Sequence, residues 1–239
     1  MQIVLRQKKR CPANRQGGSN VGAAAGPGHS GEGRAILRGA AAVGAALTAS
    51  RIIQVRGVII VRPRSATRLY IPVPFCRAKC AYCAFASQPM AAEDVEPYLE
   101  ALEAEAAHFS RTLSRPAVET VFVGGGTPSL LPDWALTRLV ATLRRHFELP
   151  RGIEFTMEAN PDSADLPTLG TMRELGVTRL SLGVQSLDDR TLSLLARPHT
   201  TAQAYSAVAA ARLAGFKNVS LDLIWGLPGQ REGAWLEEL

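Results

Sequence analysis

The sequence predicts an α/β fold built on parallel strands, on three observations. Short apolar and β-branched runs recur at RLYIPV (68–73), VETVFVG (118–124), IEFTMEA (153–159), TRLSLGV (178–184) and NVSLDLI (218–224). Helix-length stretches alternate with them: EDVEPYLEALEAEAAHFSRTL, PDWALTRLVATLRRHF, LPTLGTMRELG, and the pair LDDRTLSLLA and TAQAYSAVAAARLAG. The polar and glycine-rich motifs fall at the strand ends: GGGTPS after the second run, EANP after the third, GVQS after the fourth and DLIWGLPGQ after the fifth. Alternation of this kind implies parallel strands joined by right-handed crossovers, hence an α/β barrel or an open doubly wound sheet. In a barrel those ends converge on one face, where active sites are built.

The 239 residues, 46% of them hydrophobic, suffice for one sizeable core or two small ones. No stretch reaches the roughly 18 uninterrupted apolar residues of a membrane helix; the nearest, AILRGAAAVGAALTASRIIQVRGVIIV, is cut by Arg38, Arg51 and Arg56. The net charge of +6 is unevenly spread: residues 1–66 hold 11 basic side chains against Glu32 alone, and residues 67–239 hold 16 basic against 20 acidic. The basic character belongs to the first segment, and the rest offers no basic footprint for nucleic acid. Two regions follow: a basic, low-complexity and disordered extension over 1–66, and a folded core over 67–239. The extension is Arg-rich and acid-poor like an organelle transit peptide but not Ser-rich. It is read as a disordered tail or upstream extension of a cytoplasmic protein, with a mitochondrial setting as the alternative.

Of the four cysteines, Cys76, Cys80 and Cys83 fall in FCRAKCAYCAFAS with the spacing C-x3-C-x2-C. Such crowding is poor for a disulfide framework and normal for a metal site in a reducing compartment. Three thiolates leave one corner open in a tetrahedral ion or a cubane cluster. Zinc sites build on C-x2-C pairs with a second pair elsewhere, and there is none here, so an iron–sulfur cluster is the preferred reading over zinc or no metal. Cys11, alone in KKRCPANRQGGSN, is not expected to be a fourth ligand.

With Tyr82 before the last cysteine, LYIPVPF ahead of the first and GGGTPS further on, the chain resembles radical SAM enzymes. YIPVPFC, GGGTPSLL, EANP, LGVQS, R-P-H and DLIWGLPGQ resemble, in order over 68–230, the branch holding oxygen-independent coproporphyrinogen III oxidase and heme chaperones. The resemblance implies a partial parallel (β/α) barrel of the radical SAM type, with about five of six strands present. It implies a 4Fe-4S cluster on Cys76, Cys80 and Cys83, and S-adenosylmethionine filling the fourth iron. Heme is a further ligand, and heme or porphyrin, a heme-acceptor protein and an electron donor for the cluster are the partners it implies.

The resemblance assigns cofactor-binding roles to Tyr70, Gly125, Gly126, Thr127, Glu158, Gln185, Arg197 and Asp222. Gly124, Gly125 and Gly126 would leave no Cβ between backbone and cofactor. Thr127 adds a hydroxyl at the mouth, and Pro128 fixes the chain's exit. Glu158 ends a strand among apolar residues, where a carboxylate needs a cationic or hydrogen-bonding partner. Arg197 and Asp222 would contact the carboxylate and ribose regions. For Tyr70 the alternative is barrel core. His199 is left unassigned, and GLPGQ is read as a turn.

Four departures from the pattern matter. Pro72 replaces a usual histidine and is odd in a central strand. Phe85 stands where the oxidase branch has a fourth cysteine, C-x3-C-x2-C-x-C, which with EANP points to the heme-chaperone branch. Ala81 and Ala84 replace Pro and Asp, the Asp being a contact behind the cluster. The chain ends at WLEEL, before a sixth strand and C-terminal domain, so a truncated chain is expected. Expected function is heme binding and transfer; the alternative is a coproporphyrinogen III oxidase that uses a 5′-deoxyadenosyl radical on a propionate side chain.

Overall fold

The structure, a computed structural model, describes residues 2–7, 51–55, 58–62 and 67–239. In chain order the strands are β1 (Gln2–Gln7), β2 (Arg51–Val55), β3 (Val58–Arg62), β4 (Thr67–Val73), β5 (Phe75–Cys76), β6 (Gln88–Pro89), β7 (Val118–Gly125), β8 (Glu154–Ala159), β9 (Arg179–Gln185) and β10 (Asn218–Trp225). The helices are α1 (Ala92–Thr112), α2 (Asp133–His146), α3 (Leu166–Glu174), α4 (Asp189–Leu194), α5 (Thr201–Leu213) and α6 (Glu232–Glu238). Cys11, like most of the expected extension, lies outside the described residues.

The main sheet runs β1-β10-β9-β8-β7-β4-β3-β2. Its centre is the five expected strands, β4, β7, β8, β9 and β10, each parallel to its neighbour. β1 lies parallel beside β10, and β2 and β3 form an antiparallel hairpin beside β4. The fold is therefore the expected α/β architecture, a partial parallel barrel with helices on its outside. Among the described residues no helix is long and apolar enough to cross a membrane.

Period-two alternation sorts the strand residues onto two faces. Leu69, Ile71 and Val73 of β4, Val121 and Val123 of β7, Phe155 and Met157 of β8, and Leu180 and Leu182 of β9 are all buried on the helix side. Against them α1 lays Val95, Leu99, Leu102, Ala106 and Phe109, a stripe at helical spacing, and α2 adds Leu136, Leu139, Val140 and Leu143. Each of the larger side chains here, Val, Leu, Ile, Phe or Met, contributes roughly 1.5–3 kcal/mol by leaving water. Helix starts are set locally: Asp165 accepts from Thr168 N, Asp188 from Thr191 N, and Thr200 with Gln203 forms a capping box.

The opposite face carries chemistry instead of core. Tyr70 stacks on Phe122 with centroids 5.7 Å apart. Arg179 spans three strands, donating from Nη1 to Thr156 Oγ1 at 3.3 Å and from Nη2 to Ser220 Oγ at 3.0 Å. Among the described residues the antiparallel ladder from β3 ends at Tyr70, so Pro72 lies beyond its last pair. Its carbonyl still accepts from Tyr98 Oη at 3.2 Å.

α1 and α2 are joined through Glu103. Hydrogen bonds from Thr142, from His146 Nε2 at 2.6 Å and from Arg145 Nη1 at 2.9 Å hold its carboxyl down at about 2. A depressed carboxyl stabilises the fold above its unfolded pKa near 4.5, and loses that contribution as pH falls toward 2. In urea unfolding across this range, Glu103→Gln is expected to be less stable than wild type at neutral pH. The gap should close progressively between 4.5 and 2.

Candidate functional site

The cysteine loop leaves the end of β4 and is closed at its base by the short parallel pair of β5 and β6. Gln88 N–H donates to Pro74 O and Met90 N–H to Cys76 O, both at 2.9 Å. Within the loop, Cys83 N–H turns back to Cys80 O at 3.1 Å. Two further contacts tie the loop to the barrel: Arg77 Nε to Asp162 Oδ2 at 2.6 Å, just after β8, and Ala81 N–H to Leu195 O at 3.1 Å, at the end of α4. Cys76, Cys80 and Cys83 are free thiols, partly exposed. All three border one cavity of about 270 Å³ at the C-terminal ends of the strands. They ring its mouth without converging on a single ion position.

Gly125 and Gly126 line the cavity, and the glycine run also packs closely against neighbouring protein. A Cβ on Gly126 would lie 2.4 Å from Phe75 O and 2.6 Å from Val73 O. The backbone there is drawn tight by Gly126 N–H to Val73 O at 2.8 Å and Thr127 N–H to Phe75 O at 2.6 Å. Gly125 has φ of +102°, which L side chains rarely adopt, and a Cβ would sit 2.4 Å from the Phe85 ring. A Cβ on Gly124 would meet Glu158 Oε2 at 2.6 Å. The glycines thus let protein approach protein, drawing the cysteine loop onto β7.

Glu158 finds its partner in this turn: Oε2 accepts from Gly125 N–H at 2.9 Å. Two residues on, Asn160 donates from Nδ2 to Thr127 Oγ1 at 3.0 Å and accepts from Arg197 Nη2 at 2.8 Å. Arg197 also donates from Nη2 to Gly183 O at 2.6 Å, and from Nη1 to Cys80 Sγ at 3.3 Å and Tyr82 Oη at 3.4 Å. Its Nε–H, buried on a side chain that lines the cavity, has no hydrogen-bond partner. Burial pushes the Tyr82 phenol upward, against the pull of Arg197, so it stays protonated at neutral pH. Asp222 accepts at Oδ1 from Ser181 Oγ at 3.2 Å.

The structure brings Cys76, Cys80, Cys83, Gly125, Gly126, Thr127, Glu158, Gln185, Arg197 and Asp222 together around this cavity. Tyr70 is not among its lining residues; its ring lies on Phe122, deeper along the strands. Sequence reasoning missed Asn160 and Ser181 as lining residues. EANP held the signal for Asn160, since an amide offers both a donor and an acceptor at a strand end.

The radical SAM superfamily profile matches residues 70–238. The chain belongs to the radical SAM superfamily. Proteins of this superfamily generally use a 4Fe-4S cluster and S-adenosylmethionine, and the residues present fit that pair: three thiols at one mouth and a buried guanidinium N–H still to be satisfied. The chain is 39% identical over 162 residues to the heme chaperone HemW of Bacillus subtilis (strain 168), covering 67% of this chain and 43% of that protein. It is also 39% identical over 168 residues to the oxygen-independent coproporphyrinogen III oxidase of Pseudomonas aeruginosa, covering 68% and 36%. The solved structure of coproporphyrinogen III oxidase (HemN) from Escherichia coli, a radical SAM enzyme, matches with a TM-score of 0.65 at 30% identity, over 71% of this chain and 39% of that one. The chain thus spans less than half the length of each of these proteins.

For this radical SAM chain the glycine geometry predicts opposite outcomes at two sites. Gly126→Ala presses a methyl onto backbone carbonyls that cannot yield, and should destabilise the fold by about 1–3 kcal/mol while lowering iron uptake after reconstitution. Gly170→Ala, inside α3 with nothing within 4 Å of the added Cβ, should stabilise by roughly 0.5–1 kcal/mol. Urea denaturation with iron analysis checks both.

Proposed function

We propose that this chain is the cofactor-holding part of a HemW-like protein that binds heme and passes it to an acceptor protein. In this reading Cys76, Cys80 and Cys83 hold a 4Fe-4S cluster, and S-adenosylmethionine occupies its open iron. The observation that carries the chaperone branch is Phe85. The side chain at the position of the oxidase branch's fourth cysteine is a ring packed against Gly125, where it fills space that a thiol would leave open. Relatives named as heme chaperones support the same reading.

When bound, the cluster and cofactor supply one-electron reductive chemistry at the sulfonium. The chain's own residues bind and orient. Arg197 Nη1–H donates to Cys80 Sγ and so ties the cysteine loop to the cavity wall. Its unpartnered Nε–H suits a carboxylate oxygen, while Glu158 and Asp222 offer acceptors for an ammonium and for hydroxyls. Tyr82, kept protonated, lines the cavity beside Arg197. The setting is the cytoplasm, or the mitochondrion if residues 1–66 act as a transit peptide; an electron donor completes the system.

The oxidase relative in Pseudomonas aeruginosa and the HemN structure favour a second reading, an oxygen-independent coproporphyrinogen III oxidase. Anaerobically reconstituted protein separates the two. The chaperone reading expects about four iron atoms per chain, stoichiometric heme binding and no decarboxylation of coproporphyrinogen III; turnover of that substrate would overturn it. Zinc without iron or sulfide would overturn both. Cys80→Ala should abolish iron uptake, whereas Cys11→Ala should leave it unchanged.

A further inference from the structure

Two irregularities coincide at the C-terminal end of β9. Its pairing with β10 steps from Leu182 opposite Leu221 to Gln185 opposite Leu223, so β9 carries an extra residue, a bulge over Gly183 and Val184. Immediately after it, Gln185 takes φ of 69°, and Ser186 N–H donates to Val184 O at 2.9 Å. A bond between residues i and i+2 around a positive φ is a γ-turn of the rare, strained kind. Such strain persists only where surrounding contacts over-determine it.

Those contacts come from the loop after α4. Arg197 Nη2–H holds Gly183 O at 2.6 Å, and His199 Nε2–H holds Val184 O at 3.0 Å. Side chains on either side of Pro198, whose φ is fixed by its ring, thus grip consecutive carbonyls of the bulged segment. His199 is only 3% exposed and does not line the cavity, so it reaches the cofactor region through the turn alone. Burial and the charge of Arg197 hold its pKa down at about 4. The imidazole is therefore neutral at physiological pH, with Nε2–H as its engaged donor and Nδ1 without a partner. Downstream of the grip, the Gln185 amide lies over Gly183, where an added Cβ would meet its Nε2 at 3.0 Å and Asn160 Oδ1 at 2.8 Å.

We propose that His199 is a positioning residue: its Nε2–H holds Val184 O, and so keeps the strained turn that sets Gln185 against Asn160 and Arg197 at the cofactor cavity. The proposal rests on the cofactor reading above. A histidine that merely fills core would act through its volume; a positioning histidine acts through its donor. Glutamine can offer an N–H at nearly the same reach, and leucine cannot.

The test uses the full chain, first without cofactors and then reconstituted anaerobically. In the cofactor-free protein, His199→Leu should speed hydrogen exchange at the Ser186 amide by about 10-fold, while His199→Gln stays near wild type. After reconstitution, both variants should keep wild-type iron content. S-adenosylmethionine affinity, measured by equilibrium dialysis, should fall about 10-fold in His199→Leu and recover to within about threefold in His199→Gln. Unchanged exchange at Ser186 in His199→Leu, or equal weakening in both variants, overturns the proposal. Wild-type protein that takes up iron and binds no S-adenosylmethionine overturns the cofactor reading instead, leaving the exchange result to judge the turn. If His199→Leu does not fold, His199→Asn, whose shorter amide falls short of Val184 O, takes its place against His199→Gln.

Discussion

The site depends on the guanidinium of Arg197. Its Nη1 faces Cys80 Sγ and Tyr82 Oη in the cysteine loop, and its Nη2 faces Asn160 Oδ1 after β8 and Gly183 O in β9. A planar group with donors in a fixed fork can satisfy such divergent acceptors at once, which a lysine ammonium on a flexible stem cannot do with the same geometry. One side chain thereby joins the loop that carries the thiols to two strand ends that carry the rest of the cavity. Burial makes these bonds stronger and their loss costlier, because no water stands ready to replace them.

The sheet supplies what Arg197 joins. Because neighbouring strands from β4 to β10 are parallel, their C-terminal ends lie along one rim, and residues two apart in each strand share a face. One face is covered by α1 and α2 and takes the apolar residues. The other is relieved of that duty, so it can afford Arg179, Ser181, Ser220, Glu158 and Asp222. Polar groups at such positions are tolerated because they pair with one another, as Ser181 does with Asp222 and Arg179 with Ser220.

Strands β4, β7, β8, β9 and β10 were legible to within a residue at either end, since each is a short β-branched run between turn signals. Helices α1 to α5 were nearly as clear, as helix-length stretches between the strands. Glycine positions were legible, but their protein neighbours were not: an added Cβ would meet Phe85, Glu158 and the carbonyls of Val73 and Phe75. Tyr70 has the spacing of a cavity residue, yet its ring lies on Phe122, a neighbour supplied by another strand. His199 drew no assignment in the sequence because its partner, Val184 O, is a backbone atom with no residue-type signature.

The sequence by itself determined the order and kind of the elements, the three-thiol spacing and the strand-end motifs. Those depend on periodicity and turn chemistry within a few residues of chain. Only the tertiary structure decided that Arg197 would stand at Cys80, 117 residues away, and at Asn160, 37 residues away. It alone revealed the bulge and the γ-turn at the end of β9. Register between two strands and the partner of a buried donor are set by packing across the sheet, where distance along the chain carries no information.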